Sequence, residues 1–154
     1  MFRRIADLFK DRSPLDELVV VEAVDQAMNA AIDQARATLD VFWTKFDAGE
    51  ADEFQLKAGL TTPNGAIEHV WLRVSGRQNG RIVGRLGNQP VDLVDVNIGD
   101  EIQVEPDRVS DWAYFKAGRQ YGAFTQRAML DRADPRTRRQ IEAVLSPNPL
   151  ETDA

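Results

Sequence analysis

The sequence predicts an α+β fold: a long N-terminal helix packed on a curved four- or five-stranded antiparallel meander sheet, with a C-terminal helix. Three observations predict it. Apolar residues recur every three or four positions from 17 to 46. From residue 53 the period drops to two. Turn-forming pairs then separate the runs at hairpin spacing. A chain of 154 residues suits one domain with a core of its own.

The helix spans 17–46. Val24, Ala27, Met28, Ala31, Ala35, Leu39, Phe42 and Phe46 form its stripe, and Asp25, Gln26, Asp33, Gln34 and Arg36 fill the other side. Gly49 is placed to stop it. Ahead of it, residues 1–16 form an N-terminal extension. Phe2, Ile5, Ala6 and Phe9 there share one face, which suits packing on the domain or a weak partner anchor.

Strands follow. In "EFQLKAGL" Phe54, Leu56, Ala58 and Leu60 alternate with polar or small residues. "TTPNG" is a turn, and "IEHVWLRV" alternates again. Asn79-Gly80 is the strongest short hairpin signal, leading into "RIVGRLG". Gly84 permits a bend or bulge. "NQPVDLVDVNIGD" is a connection, with Gly99 supplying a positive φ before Asp100 and the strand "EIQV". A proline break and an extended piece through "DWAYF" complete the sheet. "FTQRAMLDRA" suits strand then helix. "DPRTRRQIEAVLS" is a helix with Asp134 as N-cap and Pro135 at its first position. The domain spans 17–146, and 147–154 reads as a disordered tail.

Composition narrows the function. Net charge is −6 with a pI near 4.8, which argues against nucleic acid as a partner. No cysteine is present, so disulfides, thiolate metal sites and a cysteine nucleophile are excluded. One histidine excludes His-rich metal sites. No apolar run is long enough to span a membrane, and the first residues lack the apolar stretch of a secretory signal, so a cytoplasmic protein is expected.

Alternation assigns two faces to the sheet. Val70, Leu72 and Val74 join Phe54, Leu56, Ala58, Ile82, Leu86, Ile102 and Val104 in a core under the long helix, with Glu68 at its edge. Ile67, His69, Trp71 and Arg73 point the other way, with Lys57 or Arg85 as candidates beside them, and Trp112 and Tyr114 are candidates to extend that face. Aromatic and cationic side chains are the usual anchors of interfaces, so Lys57, His69, Trp71, Arg73 and Trp112 form the candidate binding surface. Alternatively the C-terminal helix lies over this face through Ile141, Val144 and Leu145.

Catalytic chemistry has fewer footholds. Glu68 and His69 are adjacent on a strand and cannot pair. A base would need His69 with Asp111 or Asp100 across strands, and Thr125 would complete a nucleophile–base–orienter set. The alternative is a histidine hydrogen-bonded at a strand corner. Asp92, Asp95, Asn97, Asp100 and Glu101 lack EF-hand spacing and read as a solvated loop, so no metal is expected. "GRIVGRLG" lacks the context of a phosphate or dinucleotide loop, so no cofactor is expected. Asp111 either caps a turn or accepts an indole N–H, unless Trp112 and Trp71 line an aromatic pocket. Arg132, Arg136, Arg138 and Arg139 make a basic helix face.

The words "EFQLKAGL", "EHVWLRV", "GRLGNQP", "NIGDEIQVEPDRVSDWAYF" and "GRQYGAFT" resemble, in order, the bacterial family called domain of unknown function 2314, over about residues 20–130. The most specific positions are Glu68, His69 and Trp71, then Gly84, Asn88 and Pro90, Gly99 and Asp100, Asp111 and Trp112, and Gly122 with Thr125. Ala58 and Leu60 in the Lys57 strand, and Ala113 after Asp-Trp, are mild departures. The resemblance implies small bacterial proteins with no assigned activity or catalytic residues, some like immunity or accessory proteins encoded near toxin systems. A non-catalytic binding or accessory module contacting another protein is therefore the first expectation, possible in an immunity-like form. A small hydrolase or ligand-modifying enzyme using His69 with Asp111 is the second.

Overall fold

The computed structural model describes residues 14–151, with side chains from residue 25 onward. The amphipathic segment expected at 2–9 lies outside the described residues.

The helical stripe forms two helices, α1 (Pro14–Ala37) and α2 (Leu39–Ala48). Thr38 breaks them at φ −111° and ψ 11°. Its hydroxyl donates to the Gln34 carbonyl at 2.8 Å, the local bond by which threonine competes with helix continuation. The small Ala31 and Ala35 are buried where α1 approaches the sheet, and Phe42 of α2 is fully buried beside them. Gly49 ends α2 at φ +65°, as expected, its N–H bonding back to Phe46.

Six strands form one antiparallel sheet: β1 (Glu53–Thr61), β2 (Ile67–Gln78), β3 (Arg81–Leu86), β4 (Glu101–Val104), β5 (Val109–Lys116) and β6 (Arg119–Gly122). The α+β class holds, with β6 an added strand. The spatial order is β4-β3-β2-β1-β5-β6, so the meander runs through β4 and the chain then crosses to the far side of β1. The crossing takes only residues 105–108, three of them in a 3-10 turn, Pro106–Arg108. Four strand spacings in a flat sheet would need about 19 Å. Five residue steps with a 3-10 turn reach about 13 Å. The sheet therefore has to curl, and it does so without closing into a barrel. The β2–β3 hairpin turns through Asn79 at φ +52° and Gly80 at φ +77°, the type I′ geometry that this pair favours.

The core fills the concave face under α1 and α2. Phe54, Leu56, Ala58, Val70, Leu72, Val74, Ile82, Leu86 and Val104 line it as alternation predicts. Tyr114 and Trp112 lie there too, packed with Phe42, Phe54 and Phe124 at ring separations of 5.5–6.1 Å. This corrects the expectation that Trp112 and Tyr114 extend the face of Trp71. Register fixes the reason: Trp112 pairs with Leu56 and Tyr114 with Phe54, both core residues, while Asp111 pairs with Lys57.

A short helix, α3 (Phe124–Ala128), packs beside α1 with Phe124 and Ala128 on the core, and a 3-10 turn, Leu130–Arg132, and α4 (Pro135–Glu142) then carry the chain over the opposite face, where Leu130, Ile141 and Leu145 meet Trp71. Asp134 caps α4 through Thr137 N–H at 2.8 Å, with Pro135 next, as expected. Residues 147–151 depart from the expected tail. Gly122 N–H donates to the Pro149 carbonyl at 2.7 Å, Leu150 packs on the core, and Glu151 receives Tyr114 O–H at 2.6 Å and Lys116 Nζ at 2.9 Å. These contacts give a turn-rich segment fixed partners. No helix among the described residues is long and apolar enough to cross a membrane.

Candidate functional site

Register brings three candidates onto one strip. Lys57 on β1 lies opposite Trp71 on β2 and Asp111 on β5, with Gln55 opposite Arg73 and Gly59 opposite His69 alongside. A β-bulge between Lys57 and Ala58 leaves Ser110 as the extra residue on β5, next to His69.

At the centre is a hydrogen-bond chain running from half-buried Lys57 to buried Asp111. Lys57 Nζ donates to Thr125 Oγ1 at 3.1 Å, and Thr125 Oγ1 donates to Asp111 Oδ2 at 2.5 Å. Asp111 also accepts Thr125 N–H at 2.9 Å, Phe124 N–H at 3.0 Å and its neighbour Trp112 N–H at 2.8 Å. A carboxylate at the start of α3 satisfies N–H groups that the helix leaves open. Asp111 is fully buried and Thr125 is 1% exposed. Burial pushes the Asp111 carboxyl above its ordinary range, opposed by the bonds from Thr125 and the Lys57 charge. Burial likewise holds the Lys57 ammonium below its usual value, opposed by Asp111. The Lys57 ammonium lies 5.9 Å from the centroid of the Trp71 ring.

Trp71 is only 4% exposed. Ala113, Ala123 and Leu145 pack on it, with Leu130 and Ile141 behind, so the C-terminal chain covers this face. Trp112 lies on the other face, fully buried, its indole N–H donating to Thr38 Oγ1 at 3.1 Å rather than to Asp111. His69 and Arg73 stay exposed at the margin. His69 Nδ1 bonds Ser110 Oγ at 3.1 Å, and Arg73 pairs with Glu53. Burial, then the charges of Lys57 and Arg36, hold the His69 imidazole below its ordinary pKa. No carboxylate among the described residues bonds His69, and Thr125 is committed to Asp111. The expected set of His69, Asp111 and Thr125 is thus split into two separate groups.

The remaining motif residues organise the β3–β4 connection. Asn88 Oδ1 accepts Trp71 N–H at 2.8 Å, Pro90 is buried, and Gly99 turns at φ +90° before Asp100. Glu68 receives three successive backbone N–H groups: Val91 at 2.7 Å, Asp92 at 2.8 Å and Leu93 at 3.1 Å. Gly84 brings β3 close to β2, since a Cβ there would lie 2.7 Å from the Arg73 carbonyl oxygen. Sequence reasoning missed Arg127, whose guanidinium ties Gly122, Gln120 and Ser146 together. It also missed Val91, Val94 and Ile98, exposed on the connection. Their signal was present in "VDLVDVNI", where apolar residues alternate with aspartates in a segment otherwise reading as loop.

Residues 25–145 match a family described as an uncharacterised protein conserved in bacteria, DUF2314. The uncharacterised protein YegJ of Escherichia coli K12 is 34% identical over 110 residues, covering 71% of each chain. A protein of Neisseria meningitidis serogroup B, named as an ankyrin repeat protein, is 30% identical over 118 residues; the match covers 71% of this chain and 47% of that longer one. No solved structure matches this chain.

Proposed function

Because this chain belongs to DUF2314, a family of uncharacterised proteins conserved in bacteria, it inherits no named activity, and we propose from its geometry that it is a non-catalytic binding module acting by protein–protein contact. One observation carries the reading. The groups best suited to chemistry, half-buried Lys57 and the buried Thr125 and Asp111, are bonded in one chain that fastens the start of the C-terminal cap to the sheet. A nucleophile has to reach its substrate, and the Thr125 hydroxyl faces protein on all sides. The exposed side chains that remain are of the kind interfaces use: His69 and Arg73 at the cap margin, and aliphatic residues on the β3–β4 connection. Trp71 and Trp112 are enclosed on opposite faces of the sheet, so neither touches a partner, and only Trp71 lies beneath the His69 and Arg73 margin. The Neisseria relative is named for ankyrin repeats, which present binding surfaces, and this agrees with the reading.

The test is capture of partners from a bacterial lysate, followed by reconstitution from purified components and titration calorimetry. A stoichiometric binary complex is expected, unaffected by Thr125→Val in a folded protein. If no captured protein re-forms a complex when purified, the reading fails.

A further inference from the structure

We propose that residues 91–98 form a docking loop for a protein partner presenting an apolar cleft rimmed by lysine and arginine. This rests on the binding-module reading and gives it a surface and a partner chemistry.

The loop sorts its side chains by direction. Pro90, Leu93 and Val96 turn inward, the last two against the core. Val91, Val94 and Ile98 turn outward, 60, 64 and 60% exposed. Among the described residues five large hydrophobics are exposed, and three of them are these. Single exposed apolar residues are ordinary, whereas three outward ones within eight residues of a loop make a cluster. They are not remnants of an imperfect core, because the core contacts belong to the inward set.

The loop is also pre-organised. Glu68 holds its first turn through three N–H groups. Gln89 Oε1 accepts Ile98 N–H at 3.0 Å, and Asp100 Oδ2 accepts Asn97 N–H at 2.8 Å. Gly99 N–H returns to the Leu86 carbonyl at 2.8 Å. Apolar side chains on a fixed backbone lose little further freedom on binding, which is the condition for a recognition anchor.

Charge selects the occupant. Residues 91–101 carry Asp92, Asp95, Asp100 and Glu101 and no lysine or arginine. All four are exposed, and no ion pair among the described residues engages them. Arg85 offsets the Glu101 end, opposite it in register and bonded to the Gly99 carbonyl, so the carboxylates that edge the apolar ridge are chiefly Asp92 and Asp95, and such a ridge complements an apolar cleft edged with cations. It disfavours a second copy docked loop to loop, since like charges would then meet.

The test uses three synthetic amphipathic peptides with one leucine face and Lys, Glu or Gln on the polar face, titrated into the 15N-labelled full chain. The Lys peptide is expected to shift amides of residues 90–100 saturably, weakening as salt rises. A Val94→Ser/Ile98→Ser variant, shown folded by its own spectrum, should bind at least about tenfold more weakly, as loss of central anchors does. Equal binding of the Glu peptide, shifts centred elsewhere, or unchanged affinity of the variant would overturn the proposal. Self-association in sedimentation that the variant abolishes would overturn it too, by making the occupant a second copy. A reconstituted partner bound equally by the variant would sink the loop while leaving the binding-module reading intact.

Discussion

Single residues show most sharply what packing permits. Gly122 sits at φ +72°, and a Cβ there would fall 2.5 Å from the Trp112 ring, against its carbonyl oxygen as well. Neither neighbour can withdraw, because the ring is enclosed by Tyr114 and Phe124. Gly122→Ala combines a left-handed backbone with overpacking and should cost about 2–5 kcal/mol in urea unfolding; an unchanged midpoint would show that the Trp112 site yields. His69 gives a residue-scale prediction in pH. Its folded pKa is depressed below 6.5, mainly by burial and then by Lys57 and Arg36. The unfolded chain therefore takes its proton first, so this contribution is present above pH 6.5 and is lost as pH falls through the folded value. An NMR titration should place the imidazole below 6.5, and Lys57→Met should move it part of the way back. A variant that leaves the titration where it was would remove Lys57 as a cause.

At the scale of elements, two joints decide how the layers meet. The break between α1 and α2 depends on Thr38, which also accepts the buried Trp112 N–H. Thr38→Ala gains about 0.5 kcal/mol of helix propensity. It leaves the indole donor unsatisfied at about 1–3 kcal/mol. The desolvation loss is larger, so thermal stability should fall; a rise would mean that the indole finds another partner. The second joint is the strap of residues 144–151. Val144 and Ser146 bond both sides of Gln120, and Pro149 bonds Gly122, so the strap covers the β6 edge that would otherwise be open. Deleting 144–154 should lower the melting temperature and drive association through that edge, read by light scattering on a sizing column. A stable monomer after deletion would contradict this role.

Over the whole molecule, the sheet is covered by α1 and α2 on one face and, around Trp71 and Ala113, by the C-terminal chain on the other, and the Lys57–Thr125–Asp111 chain pins the start of that second cover. Asp111→Ala would leave two α3 N–H groups and the Thr125 hydroxyl without their acceptor in a buried site and remove the charge that offsets the desolvation of Lys57, a loss of about 3–5 kcal/mol. Hydrogen exchange should accelerate across residues 120–151 while the core of β1–β3 keeps its protection; uniform loss would mean that the network holds both faces. The same architecture explains what the residues could foretell. Alternation placed Leu56, Val70 and Leu72 inside and His69 and Arg73 outside, because β1 and β2 have unequal faces. It failed for Trp112, because β5 is buried on both sides from Val109 to Tyr114 and offers no polar rhythm to read. The helix break was hidden, since Thr38 interrupts an unbroken apolar period without glycine or proline. The tail misled because its turn-rich letters say nothing of Gly122 or Tyr114 waiting to receive it. Spacing alone suggests His69 as a partner for Asp111, but a bulge is not legible in the letters, and it sets Ser110 beside His69 instead. The β3–β4 connection adds a practical corollary. Its anchors all point inward and its outward letters hold nothing in place, so positions 91, 94 and 98 form a cassette that a protein engineer can rewrite, turning this small frame into a scaffold for displaying short loops of chosen sequence.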